Sequence, residues 1–312
     1  MTVVPILLGT LVTSGLVLIV RVSMERRRVT APEASGGVPT PLDFVIGFVT
    51  NFFDTLGIGS FATTTALYRL FRLVPDELIP GTIIVGDALP VLTQAVLFIS
   101  VVSVDPFQMT SLIAVCVAGG WIGAGIVASL SRRAVQVGLG GALLAAAVFM
   151  LLGITASFPA GGTDLAFTSR SFAIALAVNF ALGALLTLGV GNYAPSLVVF
   201  SLLGMDPRAA FPIMMGSGAF VATIAGVRFV AAGRFQWRAA LGLTAGGIPG
   251  VIAAVWLVKS LPLDALRWLV LIVVVYASVG FLTSGIRGDA GVRVESADGS
   301  HRREPDRATH GA

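Results

Sequence analysis

The sequence predicts an all-α protein that crosses a membrane several times. Its hydrophobic fraction is 56% and its charged fraction only 12%, and its mean hydropathy is +0.94. Soluble domains carry about twice that share of charged residues. Apolar runs of about 20 residues recur along the chain, and a run of that length spans a bilayer as a helix.

An internal duplication is the second observation behind this fold class. Thr55-Leu56-Gly57-Ile58-Gly59 returns as Thr187-Leu188-Gly189-Val190-Gly191, an offset of 187 − 55 = 132 residues. Three further pairs keep the same offset: Pro75 with Pro207, Pro80 with Pro212, and Gly86 with Gly218. We interpret this spacing, kept without a gap through about thirty residues, as a duplication of roughly half the chain.

The N-terminal part is expected to add one helix before the repeats. Residues 1–28 form an apolar run with a basic flank, and residues 29–41 form a polar linker. A cleaved signal peptide carries its positive charge before the apolar run, whereas here Arg26, Arg27 and Arg28 follow it. We therefore expect a retained transmembrane helix with its N-terminus outside.

The repeats are predicted over residues 42–157 and 171–286, with residues 158–170 as the loop between them. Each is expected to hold one interrupted apolar segment, 42–72 or 171–203, followed by three uninterrupted transmembrane helices. These helices are expected at about 81–103, 107–130, 137–157, 210–232, 239–258 and 266–286. The polar composition of residues 287–312 predicts a disordered cytoplasmic tail.

The positions of arginine and lysine favour re-entrant hairpins for the two interrupted segments. With hairpins, eleven basic residues lie on the cytoplasmic side and four outside, whereas full crossings give eight against seven. Cytoplasmic loops carry the excess of basic residues in membrane proteins. Each repeat then crosses the membrane three times, an odd number, so we expect the two repeats to be inverted relative to each other. Full crossing stays the alternative.

The glycine breaks are the candidate substrate site. Unpaired backbone at membrane depth is tolerated where it lines a cavity, and the half-helix that follows offers free N–H groups to an anion. The alternative is that these glycines only permit close helix packing. The predicted substrate-binding residues are Gly57, Gly59, Ser60, Phe61, Thr63 and Thr64 in the first copy, and Gly189, Gly191, Asn192, Tyr193 and Ser196 in the second.

Two acidic residues, Asp54 and Asp87, lie inside apolar segments. An ionised carboxylate in hydrocarbon costs several kcal/mol unless it is paired. Burial favours the protonated form, so we predict that these residues bind a coupling proton. Neither has an acidic counterpart in the other repeat, where the offset reaches Leu186 and Ala219. The alternative is an acid hydrogen-bonded to nearby hydroxyl or backbone groups.

Other polar residues at membrane depth have two interpretations each. Arg228 is predicted to extend its charge to the membrane surface, with an anion-guiding role as the alternative. Asn51, Gln94 and Asn179 are expected either to line a pore or to form hydrogen bonds between helices.

The sequence predicts no catalytic residue, metal site or cofactor. Both histidines, His301 and His310, lie in the polar tail, so the membrane body has no imidazole base or ligand. An intramembrane enzyme would need an atypical pair of a Ser or Thr with Asp54. Cys116 is the one cysteine and is expected to act as a small apolar residue. The basic residues lie in short loops, where they orient the protein, and no nucleic-acid binding is predicted.

The twofold glycine break resembles the sulfite exporter TauE/SafE family. The family's signature is a Gly-x-Gly-Gly-Gly-type turn in each half. Gly57-Ile58-Gly59-Ser60 and Gly189-Val190-Gly191-Asn192 match its first two glycines and depart from it at Ser60 and Asn192. The resemblance covers most of residues 42–286. It implies transport of small sulfur-containing anions, such as sulfite or organosulfonates, across the cytoplasmic membrane.

The expected function is therefore a secondary transporter of small anions, coupled to protons, in the cytoplasmic membrane with its C-terminus inside. The expected partners are a small anionic substrate and membrane lipid, and a homo-oligomer is left open. The alternatives are a different cargo, such as a carboxylate, or a membrane scaffold that transports nothing.

Overall fold

The computed structural model describes residues 3–28, 38–55, 59–99, 104–155, 164–188, 191–257 and 263–287. Helices account for nearly all of them, and the only β-structure within these ranges is a single bridge between Asp164 and Met205. The first nine residues of the predicted linker, 29–37, and the predicted tail from residue 288 lie outside the described residues.

Five helices precede the middle of the first predicted repeat. They are α1 (Val3–Arg28), α2 (Pro41–Thr55), α3 (Ser60–Phe71), α4 (Ile79–Gly86) and α5 (Ala88–Ile99). Seven more follow, namely α6 (Pro106–Ser129), α7 (Arg132–Ile154), α8 (Ser169–Leu186), α9 (Tyr193–Leu202), α10 (Pro207–Ala231), α11 (Trp237–Leu257) and α12 (Leu263–Arg287).

Six helical stretches in the described ranges are long and apolar enough to cross a membrane. They are Val3–Glu25, Asp76–Ile99, Pro106–Ser129, Ser169–Leu186, Ala209–Ala231 and Trp237–Trp256. Helices α7 and α12 contribute shorter apolar stretches, Arg133–Phe149 and Val274–Thr283. These lengths confirm the prediction of an all-helical multi-pass membrane protein. The list includes α8, which the sequence assigns to one limb of an interrupted segment.

Both predicted interruptions are present as helix ends. Helix α2 ends at Thr55 and α3 begins at Ser60, while α8 ends at Leu186 and α9 begins at Tyr193. Gly59 has a φ of 87°, a backbone conformation that residues with a side chain rarely adopt. Gly191 of the second break is also described, whereas Gly57 and Gly189 lie outside the described residues.

The prediction of an uninterrupted helix over 81–103 was wrong. Helix α4 ends at Gly86 and α5 begins at Ala88. Pro90 explains the break, because proline has no N–H to donate to the carbonyl four residues earlier, which is that of Gly86. The Gly86 carbonyl accepts instead from the Thr244 hydroxyl of α11, at 2.7 Å. Asp87 therefore lies at a kink, and a neighbouring helix satisfies the backbone group that the kink releases.

Glycines hold two helix pairs in close contact. Helix α2 packs along α11, and α8 packs along α6. A Cβ atom added to Gly246 of α11 would overlap the carbonyl oxygen of Phe44 in α2. Likewise, a Cβ atom on Gly183 of α8 would overlap the carbonyl of Cys116 in α6. Small residues are common where membrane helices approach this closely.

Helix α10 lies at the centre of the bundle and α1 at its edge. In the apolar window of α10, 83% of the residues are buried, against 22% for α1. The few buried residues of α1, such as Leu11 and Leu18, belong to the face that packs against α10 and α5. The ends of α2, α3 and α9, together with the kink at Asp87, surround the polar interior described next.

Candidate functional site

Gln94 of α5 links the two helix interruptions. Its side chain is fully buried and lies 2.7 Å from the hydroxyl of Tyr193, the first residue of α9. With its amide oriented to satisfy every neighbour, Gln94 donates to Tyr193 and, at 3.2 Å, to Oδ2 of Asp54. Its carbonyl then accepts from the N–H of Thr55 at 3.1 Å. One side chain therefore joins the end of α2 to the start of α9.

The Asp54 carboxylate lies at the start of α3. The N–H of Ser60, the first residue of α3, donates to Oδ1 of Asp54 at 2.6 Å. An anion at this position is favoured by the unpaired N–H groups and the positive end of the helix dipole. The next two N–H groups, those of Phe61 and Ala62, have no acceptor among the described residues.

The start of α9 is built differently. The side-chain amide of Asn192 donates to the carbonyl of Met214 in α10 at 3.1 Å, which fixes the turn before the helix. Pro195 has no N–H, so α9 offers fewer backbone donors in its first turn than α3 does. The hydroxyl of Ser196 is fully buried and has no hydrogen-bond partner within the described part of the chain.

Asp87 lies at the kink between α4 and α5. Its Oδ1 accepts from the side-chain amide of Asn51 at 2.9 Å, while its Oδ2 has no hydrogen-bond partner among the described residues. Asp54 and Asp87 are each only 4% exposed. Asp87 also lies near Asp54, because its partner Asn51 is one helical turn before Asp54 in α2, and the charges of the two carboxylates repel each other.

No described ion pair neutralises these two acids. The described arginine–carboxylate pairs are Arg69 with Asp76 and Arg238 with Asp43. Asp54 accepts a backbone hydrogen bond, as the simpler interpretation expected, whereas Asp87 accepts one from a side-chain amide. An uncompensated carboxylate in a membrane interior nevertheless costs several kcal/mol, which marks the pair as a functional candidate.

Open space borders both breaks. A Cβ atom built on Gly59 or Gly191 would meet no atom of the described residues within 4 Å, unlike the tightly packed glycines of α6, α8 and α11. The two described cavities, of about 270 Å³ and 430 Å³, lie against α1 and are lined by none of the predicted site residues. The polar interior is thus a compact cluster with free space beside its glycines.

The other predicted site residues have different surroundings. The Thr63 hydroxyl donates to the carbonyls of Gly59 and Ser60, so it is engaged within its own helix. The side chain of Phe61 is buried in the apolar core, so its backbone N–H is the group that it offers to a ligand at the start of α3. The hydroxyl of Thr64 is buried without a partner among the described residues.

The remaining polar residues of the membrane body make contacts between helices. Asn179 donates to the carbonyl of Leu112 at 2.7 Å and to the Ser217 hydroxyl at 3.3 Å. Arg228 donates to the carbonyl of Trp121 at 2.7 Å and lies 4.7 Å from the centre of that indole ring. Among the described residues, no group of three or more His, Cys, Asp or Glu side chains is arranged to hold a metal ion.

A family model described as sulfite exporter TauE/SafE matches residues 42–281, which include both interruptions, Asp54, Asp87 and Gln94, and exclude α1. No curated protein and no solved structure matches the chain significantly. Because the family match covers most of the chain, this protein belongs to the sulfite exporter TauE/SafE family of membrane transporters.

Proposed function

We propose that this protein is a proton-coupled secondary transporter of small anions, with sulfite or a related sulfur-containing anion as its substrate. One observation carries the proposal. Gln94 joins the end of α2 and the start of α9 in a buried cluster that contains two acids and no described counter-cation. Helix starts supply donors for an anion, and a buried carboxylate supplies a place for a proton.

The proposed architecture consists of two repeats, residues 42–157 and 171–286. Helix boundaries support it, because α9, α11 and α12 begin at residues 193, 237 and 263. Subtracting the offset of 132 gives 61, 105 and 131, each one residue from the start of α3, α6 or α7, at 60, 106 and 132. These three pairs of helix starts support the proposed repeat.

The proposed repeats are inverted, and the helix contacts are consistent with a twofold relationship. The offset converts α2 into α8 and α11 into α6, so the close pair α2–α11 becomes the close pair α8–α6. Helices α7 and α12, which are equivalent in the two repeats, pack against each other. In inverted-repeat transporters, the substrate site lies between the repeats, and rocking of one repeat against the other alternates its access.

The proposed substrate site uses N–H and hydroxyl donors. The N–H groups of Phe61 and Ala62 and the hydroxyl groups of Thr64 and Ser196 have no partner among the described residues. A compact oxyanion with several acceptor oxygens, such as sulfite, suits a group of neutral donors at helix starts. Proton binding at Asp54 or Asp87 would lower the negative charge of the cluster and so couple anion entry to the proton gradient.

Uptake of radiolabelled sulfite into proteoliposomes tests the proposed function. We expect saturable uptake that an inward proton gradient accelerates and that thiosulfate and organosulfonates compete. Competition by carboxylates alone would move the substrate to another class of anion. The absence of any flux from folded protein would contradict the transporter proposal and favour a scaffold.

Gly191→Ala tests whether the break is part of the site. An alanine there has room and no unfavourable φ, so we expect the variant to fold normally and to transport poorly, because the new methyl group occupies the open space. Gly141→Ala is the matched control, because its Cβ would also meet no atom within 4 Å but it lies on an exposed face of α7. Equal uptake by the two variants would separate the break from substrate binding.

A further inference from the structure

The Asp54 carboxylate lies at the start of α3, on a backbone N–H group of the proposed anion site. Its Oδ1 accepts the first N–H of α3, that of Ser60, at 2.6 Å. Gly59, which precedes the helix, has no side chain that could cap it. Asp54, six residues before Ser60, takes the capping role instead. Carboxylates and oxyanions compete for the same N–H groups at a helix start.

A second observation places another negative charge at this helix start. Asp87 is 4% exposed, its Oδ2 has no hydrogen-bond partner among the described residues, and its Oδ1 accepts from Asn51, which lies one helical turn before Asp54 in α2. Two carboxylates already repel each other in a poorly solvated interior. A substrate anion at the same helix start would add a third negative charge. It could therefore bind only when one of the two carboxylates is protonated.

The titratable groups around Asp54 come from four elements. Asp87 faces it from the kink between α4 and α5, and Tyr193 faces it from the start of α9. From α3, Tyr68 donates its hydroxyl to the carbonyl of Ala239 in α11, at 3.4 Å. On α11, Arg238 pairs with Asp43 near the opposite end of α2. Among the described residues, therefore, the charged group that interacts most strongly with Asp54 is the Asp87 carboxylate.

We propose that Asp54 occupies the anion position in the empty transporter, and that substrate binds there when Asp54 is protonated and releases the Ser60 N–H. This inference rests on the proposed function and deepens it by assigning the coupling proton to one of the two acids. Anion and proton then enter together, because the anion takes over the hydrogen bond that the carboxylate gives up. Asp87 acts as a positioning residue that disfavours a second negative charge nearby.

Gln94 gives the exchange a route to the second repeat. It donates to Oδ2 of Asp54 and to the Tyr193 hydroxyl at the start of α9. When Asp54 is protonated, its carboxyl group becomes a donor and Gln94 loses a charged acceptor. The hydrogen bonding at the start of α9 therefore depends on whether Asp54, at the end of α2, is protonated. Through Gln94, one proton changes the hydrogen bonds at the starts of both α3 and α9.

Proton uptake during sulfite binding tests this inference. Purified protein in weakly buffered detergent solution is titrated with sulfite, and the protons taken up per bound sulfite are counted with a pH indicator. We expect the wild type to take up about one proton more than Asp54→Asn, because sulfite's own proton equilibrium contributes equally to both. Asp87→Asn should keep the wild-type excess. Asp105→Asn is the matched control, because that residue caps α6 outside the site.

The affinity of Asp54→Asn provides a second readout. An asparagine carries no charge, so sulfite should bind to this variant with little dependence on pH. Wild-type affinity should instead fall by up to about tenfold per pH unit above the pH at which Asp54 loses its proton, once sulfite's own ionisation is corrected. Equal proton counts in the wild type and Asp54→Asn would overturn the inference, and so would loss of the proton excess in Asp87→Asn alone.

Infrared difference spectroscopy on the wild type keeps the test decisive if Asp54→Asn fails to fold. Sulfite binding should produce the C=O stretching band of a newly protonated carboxyl group, and the band should persist in Asp87→Asn. Binding without that band would overturn the inference. Failure of the wild type to bind or transport sulfite is a different result, because it would contradict the proposed function itself.

Discussion

At the scale of single residues, the central feature is a side chain that forms hydrogen bonds with three residues at once. Gln94 contacts Asp54, Thr55 and Tyr193, and the last of these lies 99 positions away from it in the chain. Burial of such a polar network is favourable only when its members are paired. Removal of one partner is therefore expected to cost more than one ordinary hydrogen bond.

Tyr193→Phe is the direct test of this network. The variant removes the hydroxyl and leaves the Gln94 amide with one acceptor fewer, so we expect a loss of about 1–3 kcal/mol in the free energy of unfolding. We also expect proton-driven sulfite uptake to fall, because the start of α9 loses its link to Asp54. Thermal unfolding and uptake, measured on the same preparation, check both effects. An unchanged uptake rate would show that the link has no role in transport.

Sequence reasoning found the acids of the site but not their partners. Asp54 and Asp87 stand out because charge is rare in apolar segments. Gln94 was noticed for the same reason, but its role depends on how α5 meets the start of α9, which no local pattern encodes. Thr63 was predicted to bind substrate, yet its hydroxyl donates to the carbonyls of Gly59 and Ser60, the kind of local hydrogen bond that threonine commonly makes.

At the scale of helices, proline and glycine decide where the chain departs from regular geometry. The breaks at the ends of α2 and α8 were predictable, since paired glycines within apolar segments disfavour a continuous helix. The kink at Asp87 was missed, although Pro90 made it foreseeable: the residue affected lies four positions before the proline, at Gly86. The rescue of the Gly86 carbonyl by Thr244 required knowledge of the fold.

Pro90→Ala tests the importance of the kink. Alanine supplies an N–H for the Gly86 carbonyl, so α4 and α5 are expected to straighten into one helix and to shift the Asp87 carboxylate away from Asp54. We expect sulfite uptake to fall about tenfold, which corresponds to about 1.4 kcal/mol on the barrier. Pro106→Ala, at the first position of α6 where no N–H partner is needed, is the control. Normal uptake by Pro90→Ala would mean that the kink is only structural.

Gly246→Ala tests the close contact between α2 and α11. The added methyl group overlaps the carbonyl oxygen of Phe44, and neither backbone can move without disturbing the pair. We expect a loss of about 1–3 kcal/mol in stability, measured by thermal unfolding in detergent. Gly141→Ala, where the methyl group meets no described atom, should unfold at or slightly above the wild-type temperature, because alanine favours a helix interior over glycine. Equal unfolding temperatures would contradict the described packing.

At the scale of the whole molecule, the account depends on orientation in the membrane. The prediction of an all-helical multi-pass protein of the TauE/SafE family is confirmed. The inversion of the repeats stays a proposal, because helix positions and contacts alone do not give the side of the membrane on which a loop lies. The count of basic residues, eleven against four, is the present argument for the cytoplasmic side.

Cysteine labelling in intact cells tests that orientation. In a background with Cys116→Ser, a single cysteine replaces either Arg72, just after α3, or Arg208, near the start of α10. The two positions are equivalent to within a few residues in the proposed repeats. With inverted repeats, a membrane-impermeant reagent should label position 208 from outside and position 72 only after permeabilisation. Labelling of both from one side would contradict the inversion.

Locating the bound anion tests the central claim most directly. Selenite has the shape and charge of sulfite, and its selenium atom gives an anomalous signal in X-ray diffraction from crystals of the wild-type protein. We predict one strong peak beside the N–H of Ser60 at the start of α3, close to Ser196 or Tyr193 in the first turn of α9. A peak bound elsewhere, with the Asp54–Ser60 hydrogen bond intact, would contradict the proposed site.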